Sequence, residues 1–568
     1  LCVLEQIESG VTAYCMILTL RITGPINLPV LAQSLSKIIE RHEVLRTTFA
    51  KTNGQPHQVI HPAQPVRLDV VDPQTSAVEA REREAKRRIL AFAQQPFDLQ
   101  QGPLIRFKLL RLTPQTHIFV VNVHHIVFDG WSFGLFFQEL SALYEALCEQ
   151  QSPILTPLPI QYTDFAHWQQ QWLGSAAFQK QLTYWKTHLE GAPDVLALPT
   201  DFPRPAVQTY SGERFQQRLT ASLVKRIHQL SHEEGSTLFI TLLSVFKVLC
   251  YRLTQQSRIT IGSPVAGRNQ AEVEPLMGFF VGNLVLHSDL SGSPTMRELL
   301  RRVKQVALEA YAHQDVPFEK LLEELQPPRD LSRTPLFQVW FNMLTLEGTK
   351  LELPGLNIQS FKIGKVSAKF DLSLYLRETE QGLLIDWVYN ADLFHAETVQ
   401  FMGRCFQTLL ENVVAEPDQS IETLPLLSPD DKRDRSSTVA VRKPSVPFAF
   451  VPFEKSEIEQ SIPARFAQQV ARYSDRIAVK TPRYEWTYQT LDEQSDRFAA
   501  RLIAQFGHKA NRVALLLKQE APMVAAILGV LKAGMTYVPL DPAYPQRRLA
   551  YILTDAHVAG LLTEEGTL

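Results

Sequence analysis

The chain has 568 residues, of which 45% are hydrophobic and 20% charged, and its formal net charge at pH 7 is −2. This composition is typical of a soluble protein with several domains, and it gives no basic surplus for binding nucleic acid. No apolar run reaches the roughly 20 residues of a membrane-spanning helix, and the 5 cysteines include no C-x-x-C pair. We therefore expect a cytoplasmic protein that contacts neither nucleic acid nor membrane.

The first part of the chain alternates between helical and strand patterns. Some segments have apolar residues at helical spacing, and others are short apolar runs bounded by turn residues, as in buried strands. The predicted helices cover residues 28–43 and 79–93, and the predicted strands cover residues 44–49, 58–60, 104–112 and 117–123. Asn53-Gly54 is a strong hairpin signal between the first two strands. We predict an α/β lobe with an open sheet.

The stretch VHHIVFDGW, residues 123–131, follows the last of these strands and precedes apolar positions at helical spacing. It therefore predicts a strand-to-helix turn. Neighbouring strand residues point to opposite faces, so only one of His124 and His125 can face a given cavity. The helix after Gly130 begins with backbone N–H groups that can bind developing negative charge. A histidine beside such donors suits acyl transfer.

A second set of elements in the same α/β style follows a proline-rich stretch at residues 153–159. The predicted helices cover residues 222–230, 237–253, 295–311 and 396–414. The predicted strands cover residues 258–263, 283–289, 336–343, 370–376 and 383–389. No repeat period is visible, but two similar α/β lobes account for the pattern.

A polar, proline-rich segment at residues 429–460 interrupts the periodicity and indicates an interdomain linker. Strands and helices then alternate over residues 461–568, which is the pattern at the start of an α/β domain. The chain opens at Leu1 without an initiator methionine and stops just after a predicted strand. We therefore expect a fragment cut at both ends.

Six motifs occur in order along residues 1–428. They are RHEVLRTTF, VHHIVFDGW, YTDFAHWQ, IGSPVAGR, HQDVPFE and RDLSRTPLFQV. The series resembles the condensation domain of nonribosomal peptide synthetases. The resemblance implies two lobes with the chloramphenicol acetyltransferase fold, an N-lobe of about residues 1–165 and a C-lobe of about residues 166–428. The active site would lie in a tunnel between them.

The last part of the chain is similar to the front of an adenylation domain. The similarity rests on WTYQTL, residues 486–491, and LKAGMTYVPLDPAYPQRRLAYILTDA, residues 531–556. That family holds ATP on a Thr/Ser/Gly-rich loop with a lysine, and no such loop occurs in this sequence. Residues 461–568 are therefore expected to form a truncated α/β segment of an adenylate-forming enzyme, without ATP, Mg²⁺ or amino-acid activation.

The resemblance implies that the protein forms amide bonds. An amine on one phosphopantetheine-tethered aminoacyl group attacks the thioester of another, and upstream and downstream peptidyl carrier domains present the two arms. His125 is expected to accept a proton from the amine or to align it, and both roles remain open. The N–H of Gly130 is expected to stabilise the oxyanion, because a residue without Cβ lets the carbonyl come close. No metal and no directly bound cofactor is expected.

Three more residues are expected to support the site structurally. His124 should pack away from the cavity that His125 faces. Asp129 could orient the histidine as in a hydrolase triad, but the resemblance implies that it holds the loop by an ion pair with Arg268. Breaking one side of a buried pair costs about 3–5 kcal/mol, so substitution of Asp129 would damage folding as well as rate.

Two alternatives remain open. An epimerisation domain would use the same HHxxxDG motif to move an α-proton, although condensation domains usually stand directly before an adenylation segment. A degenerate domain would only dock carrier proteins. The segment FVGNLVLH, residues 280–287, departs from the family's FVNTLVLR, and the family's opening motif is truncated at Leu1. Together these two departures keep the second alternative open.

Overall fold

The computed structural model describes residues 14–52, 55–72, 78–193, 195–328, 330–344, 350–362, 364, 366–428, 460–481, 483–507, 511–518, 520–541 and 546–563. The chain divides into two compact units, Leu1–Ser445 and Val446–Leu568. The predicted Asn53-Gly54 turn and all but the last residue of the predicted linker at 429–460 lie outside the described residues.

The first unit is built from strands and helices in alternation. Its strands are β1 (Cys15–Thr23), β2 (Thr47–Thr52), β3 (Gln55–Ile60), β4 (Asp69–Val71), β5 (Ile105–Thr113), β6 (Thr116–His124), β7 (Ser211–Thr220), β8 (Arg258–Val265), β9 (Gly282–Asp289), β10 (Val339–Met343), β11 (Asn357–Ser360), β12 (Val366–Ser367), β13 (Leu372–Thr379) and β14 (Gly382–Asn390). Its helices are α1 (Leu28–Arg41), α2 (Val78–Ala93), α3 (Gly130–Cys148), α4 (Tyr162–Trp172), α5 (Ala176–His188), α6 (Ala221–Glu233), α7 (Leu238–Thr254), α8 (Met296–Ala312), α9 (Phe318–Leu325) and α10 (Ala396–Ala415).

The sheet of the first lobe has five strands in the order β11-β1-β6-β5-β4. Its central strand β6 is an almost continuous apolar run, which is the pattern of a strand covered on both faces. Phe119, Val121 and Val123 pack with side chains of α1 and α3, whereas Ile118 and Val120 pack with side chains of α2. This alternation continues to the end of β6, where the histidines begin.

One strand of the first sheet comes from far along the chain. Strand β11 pairs antiparallel with β1, with Leu20 opposite Ser360. Leu351 and Leu353, which precede β11, are buried in the core of the first lobe. The division into two consecutive lobes therefore needs a correction. The segment around residues 351–360 belongs with the first lobe, because it covers that core and completes the edge of that sheet.

The second lobe contains a mixed sheet of seven strands in the order β12-β7-β14-β13-β10-β8-β9. Strand β10 runs parallel to β8 and β13, and the other neighbours are antiparallel. Side chains of α6, α7, α8 and α10 share one core with this sheet. The helices and strands predicted for this lobe are all present, whereas β7 and β12 were not predicted. The α/β class with two lobes is confirmed.

The second unit also alternates strands and helices. Its elements are α11 (Ile462–Tyr473), β15 (Ile477–Lys480), β16 (Glu485–Thr487), α12 (Tyr488–Phe506), β17 (Arg512–Leu516), α13 (Ala521–Lys532), β18 (Thr536–Leu540), α14 (Gln546–Asp555) and β19 (Gly560–Thr563). Strands β18, β17 and β19 form a parallel sheet, as the alternation with helices predicts.

Within the described ranges, no single helix is long and apolar enough to cross a membrane. Helices α6 and α7 pass the test of length and composition only when they are taken together, and the pair is bent by 102°. The same ranges contain no group of three or more His, Cys, Asp and Glu side chains that could hold a metal ion.

Candidate active site

The turn that carries the histidines lies between strand β6 and helix α3. His125–Val127 forms a short 3-10 turn, and α3 begins at Gly130. The side chain of Asp129 caps this helix by accepting a hydrogen bond from a backbone N–H of its first turn. The predicted strand-to-helix turn is present, but His125 lies in the turn and not on the strand. The backbone changes from strand to 3-10 turn between His124 and His125. This change, and not strand alternation alone, makes their side chains point in different directions.

His125 has one ring nitrogen fixed by its own turn. The Nδ1 atom lies 2.7 Å from the carbonyl oxygen of Phe128, and since a carbonyl can only accept, Nδ1 carries the proton. Phe279 of the second lobe contacts the ring edge-to-face, with centroids 5.1 Å apart. The neutral imidazole therefore offers Nε2 as a hydrogen-bond acceptor. Such an acceptor could either take a proton from an amine or align it.

The surroundings of His125 disfavour its charged form. Burial lowers the pKa of the imidazole from 6.5 to about 4, and the positive charge of Lys369 acts in the same direction. The hydrogen bond to Phe128 and the charge of Asp129 raise the pKa, but they do not reverse the shift. His125 is therefore neutral at pH 7.

His124 is buried and bonded within the chain. Its Nδ1 accepts a hydrogen bond from the backbone N–H of Ile126 at 3.1 Å, which closes the start of the turn. Its ring also contacts Phe97 edge-to-face, with centroids 6.0 Å apart. These contacts hold the end of β6 in place.

Asp129 is bound on both carboxylate oxygens. The Oδ1 atom accepts hydrogen bonds from the backbone N–H and the hydroxyl of Ser132, at 2.8 and 2.7 Å. The Oδ2 atom accepts one from the N–H of Phe280 in the second lobe at 3.1 Å. Arg268 approaches both oxygens at 3.3 Å, which is the ion pair that the resemblance implied. Asp129 thus joins the two lobes, and its contacts are not those of a triad with His125.

Arg268 is buried at the same junction. Its Nη1 donates to the carbonyls of Val273 and Leu276, each at 2.6 Å. Its guanidinium lies over the ring of Phe280, 4.1 Å from the centroid. Burial lowers the pKa of Arg268, while the charge of Asp129 raises it. Because arginine remains charged in proteins, the pair holds the histidine turn to the second lobe.

Gly130 is the first residue of helix α3, and it is exposed. A Cβ atom added there would meet no other heavy atom of the described residues within 4 Å, so packing against them does not require a glycine. Its backbone N–H is one of the first four of the helix, which have no partner inside the helix. The position combines an N–H donor with open space, as an oxyanion site requires.

Sequence reasoning missed two residues that reach this site from the second lobe. Phe279 contacts the ring of His125, and Lys369 brings a positive charge to it. Both residues lie far along the chain, so no local pattern connects them with the histidine. The one available signal was indirect, because Phe279 directly precedes the FVGN segment that departs from the family.

The departures in that segment fall in two different places. Gly282 and Asn283 line an open cavity of about 410 Å³, together with Phe279. His287 lies inside the second lobe instead, where its Nδ1 is 2.9 Å from the hydroxyl of Thr260. The departure at His287 therefore concerns the core, whereas those at Gly282 and Asn283 concern the rim of a cavity beside the site.

The histidine turn lies where the two α/β lobes meet, as the resemblance to condensation domains implied. The model of the condensation domain family matches residues 1–434, and the model of the AMP-binding enzyme family matches residues 466–568. This chain belongs to the condensation domain family of nonribosomal peptide synthetases, with part of an AMP-binding enzyme domain after it. The assignment expected from the six motifs is confirmed.

The relatives are much longer than this chain. A linear gramicidin synthase of Brevibacillus parabrevis is 42% identical over 564 residues, which are 99% of this chain and 11% of that protein. The chain thus spans about a tenth of that relative.

Two solved structures extend the comparison. Holo-AB3403, a four-domain nonribosomal peptide synthetase bound to AMP and glycine, matches 99% of this chain and 42% of its own, with a TM-score of 0.67 and 25% identity. The X-domain in the complex of the X-domain and OxyB from teicoplanin biosynthesis matches 73% of this chain and 91% of its own, with a TM-score of 0.67 and 30% identity.

Proposed function

We propose that this chain forms an amide bond between two carrier-bound substrates. The amine of an acceptor aminoacyl thioester attacks the carbonyl carbon of a donor aminoacyl or peptidyl thioester. The C–N bond forms and the C–S bond breaks. The amine loses one proton, and the leaving pantetheine sulfur takes one up. The products are an elongated amide on the acceptor arm and a free thiol on the donor arm.

The observation that carries this proposal is the fixed tautomer of His125. Because Nδ1 donates to the carbonyl of Phe128, Nε2 is the acceptor, and the low pKa of the ring keeps it so at neutral pH. An α-amino group loses its proton near about 7.7–8.0, so a neutral acceptor at this point can hold the reactive form of the amine in line. His125 is the residue that contacts the nucleophile.

Gly130 supplies the N–H for the oxyanion. Its amide belongs to the first turn of α3, where the helix dipole adds a partial positive charge. One donor of this kind is worth about 3–4 kcal/mol of transition-state stabilisation. The open space beside the residue leaves room for the thioester carbonyl.

Three residues support this geometry without contacting substrate. His124 closes the start of the turn, and Asp129 caps α3 while it binds Arg268 across the lobe junction. Loss of any of them would move His125 and Gly130 relative to each other. A displacement of about 1 Å at a reacting centre can lower the rate about a hundredfold.

The substrates arrive on phosphopantetheine arms from an upstream and a downstream peptidyl carrier domain. Membership of the condensation domain family supports this requirement for carrier domains. The relative with 42% identity, a linear gramicidin synthase, supports it as well. The AMP-binding part does not activate an amino acid by itself, since the chain contains no Ser/Thr/Gly-rich loop with a lysine that could hold ATP phosphates. We place the reaction in the cytoplasm.

A single-turnover experiment tests the proposal. The chain is mixed with a carrier domain loaded with a donor aminoacyl group and a second carrier loaded with an acceptor, and the dipeptidyl thioester is detected by intact-protein mass. Dipeptide is expected from the parent chain, and His125→Ala is expected to lose roughly 10²-fold or more in rate. His167→Ala removes an exposed histidine of α4 and serves as the matched control, with a rate close to the parent's.

Epimerisation is the first alternative outcome. It would appear as exchange of the donor α-proton with deuterated solvent, without dipeptide. The AMP-binding segment directly after the condensation domain favours condensation, because it supplies the acceptor module at that position.

A docking function is the second alternative, and one comparison favours it. The X-domain from teicoplanin biosynthesis, with 30% identity to this chain, was solved as a complex with OxyB. If the chain bound both carriers but produced neither dipeptide nor α-proton exchange with several cognate substrate pairs, the docking interpretation would replace the enzymatic one.

A further inference from the structure

The first unit contains a lysine that the proposed function has not used. Lys369 stands between the short strand β12 and strand β13 of the second lobe. The two residues after it are fixed by packing. The ring of Phe370 stacks on Trp340 with centroids 4.9 Å apart, and Asp371 is buried in an ion pair with Arg204. The backbone of Lys369 is therefore rooted in a rigid part of this lobe.

The side chain of Lys369 reaches the first lobe. Its ammonium lies 5.3 Å from the centroid of the ring of Tyr14, which directly precedes β1. The next residue, Cys15, pairs with His124 at the end of β6 and interacts electrostatically with the lysine. The charge of Lys369 also acts on His125. These neighbours place the ammonium near the start of β1, close enough to the histidine turn for its charge to act on His125.

The ammonium of Lys369 has no acidic partner within the part of the chain that the structure describes. Among the residues that the structure describes, no carboxylate lies within ion-pair distance of Lys369. The titratable groups that face it are Tyr14, Cys15 and His125, and Asp129 acts on His125 as well. Burial lowers the pKa of Lys369 to about 8, so the ammonium still predominates at pH 7. A partly buried cation without a counter-charge attracts any negative charge that develops beside it.

We propose that Lys369 is a further catalytic residue, whose ammonium stabilises the oxyanion that forms when the amine attacks the thioester. This inference rests on the proposed function. The negative charge appears on the donor carbonyl oxygen as the C–N bond forms and disappears as the C–S bond breaks, so Lys369 keeps its proton throughout. A cation beside His125 also opposes an imidazolium. His125 therefore acts mainly by aligning the neutral amine.

The pH dependence of single-turnover condensation tests the role of the charge. In the parent chain, the rate should rise as the acceptor amine loses its proton and fall again as Lys369 loses its own, at about pH 8. Lys369→Arg keeps a positive charge at higher pH, so it should remove the fall on the alkaline side. An unchanged alkaline fall in Lys369→Arg would overturn the proposal.

The second test of the proposal removes the positive charge of Lys369. Lys369→Met is expected to lose roughly 10–100-fold in the rate at saturating carrier concentration, with the half-saturating concentration within about threefold of the parent's. Lys225→Met removes an exposed lysine of helix α6 and is the matched control. A Lys369→Met variant that stays within about threefold of the parent rate at every pH would overturn the proposal, and so would a loss confined to the half-saturating concentration.

A measurement without substrates separates this inference from the proposed function. With ¹³C-labelled histidine, the His125 signal is identified by its loss in His125→Gln and titrated in the parent and in folded Lys369→Met. Removal of the charge should raise the pKa of His125 by roughly half a unit or more. This rise is expected even if no dipeptide forms in any assay. An unchanged His125 titration would show that the ammonium does not face the reaction centre.

Discussion

Two clusters of buried polar side chains in the first unit handle charge in opposite ways. At the lobe junction, Asp129 and Arg268 form an ion pair whose side chains are 2% and 1% exposed. Inside the second lobe, Lys247 is equally buried, but its ammonium donates to the carbonyl of Leu286 and the hydroxyl of Ser288, at 2.6 and 2.8 Å. No carboxylate of the described residues lies within ion-pair distance of Lys247.

In the cluster around Lys247, the positive charge of the lysine is weakened by burial and is not balanced by a carboxylate of the described residues. Burial lowers the pKa of Lys247 to about 7 and that of His287 to about 4, and it also lowers the pKa of His188. Two of its polar atoms, Nε2 of His188 and the hydroxyl of Tyr184, are buried without a hydrogen bond to any described residue. The ion pair at the lobe junction thus keeps both of its charges, whereas burial weakens the charge of Lys247 in the second cluster.

The largest expected effect comes from breaking the pair at the junction. Asp129→Ala leaves Arg268 as an uncompensated buried charge, and the free energy of unfolding of the first unit should fall by about 3–5 kcal/mol. Denaturant titration followed by tryptophan fluorescence measures this. Ser132→Ala, which removes one hydroxyl from the same network, should cost about 1–3 kcal/mol. Equal costs for the two variants would show that charge is not what matters at this point.

A fall in pH should lower the stability of the first unit through His287 of the second cluster. His287 has a folded pKa of about 4, whereas an unfolded histidine titrates near about 6.5, so the unfolded chain binds more protons between these values. Stability should therefore fall as the pH drops from about 6.5 to 4, by about 2 kcal/mol from this residue. The midpoint of thermal unfolding, followed across this range, measures the fall. His287→Gln should flatten the slope, and an unchanged slope would contradict the assignment.

A smaller effect is expected at Lys247. Its folded pKa of about 7 lies below the unfolded value, so the unfolded chain binds more protons above pH 7 and stability should rise with pH there. Lys247→Met removes that rise. It also removes the hydrogen bond that Lys247 donates to the carbonyl of Leu286, so the stability at pH 7 should change by only about 1 kcal/mol. Urea unfolding of the parent and the variant at pH 7 and pH 9 measures both effects. A loss of more than about 3 kcal/mol would show that Lys247 stabilises the fold as strongly as a charge of the Asp129–Arg268 pair.

The smallest effect on stability is expected at Gly130, the first residue of helix α3. Because a Cβ at Gly130 meets no atom within 4 Å in the described ranges, Gly130→Ala should change the free energy of unfolding by less than about 0.5 kcal/mol. The added methyl group occupies space proposed for the thioester carbonyl, so condensation should still fall roughly tenfold or more. Parallel unfolding and single-turnover measurements separate the two. Full activity in Gly130→Ala would remove the residue from the proposed site.

The contrast between the clusters also shows what the sequence could predict. The periodicity of residues 117–123 identified β6, and its apolar residues alternate between two cores as expected. The motif placed His125 and Gly130 at a strand-to-helix turn, which the structure contains. These features depend on local spacing, and local spacing can be read from one sequence.

The remaining features depend on pairing across long distances. The exposed, polar residues of strand β7 hide its strand character, and β11 is only four residues long. Phe279 and Lys369 reach His125 only because the second lobe folds against the first. The low pKa of His125 arises mainly from burial, and burial cannot be predicted from the residue type alone. Such properties emerge from the assembled lobes.

Strand β11 has a consequence for the order in which the protein can fold. During synthesis, the first sheet must wait for an edge strand that is made roughly 230 residues after β6. At about 5–20 residues per second, this delay amounts to about 10–50 s, during which the outer edge of β1 stays unpaired. The first lobe therefore completes its sheet only after most of the second has been made. Chimeras that exchange the lobes at residue 165 would separate β1 from its partner, so a working exchange has to move residues 351–360 together with the first lobe.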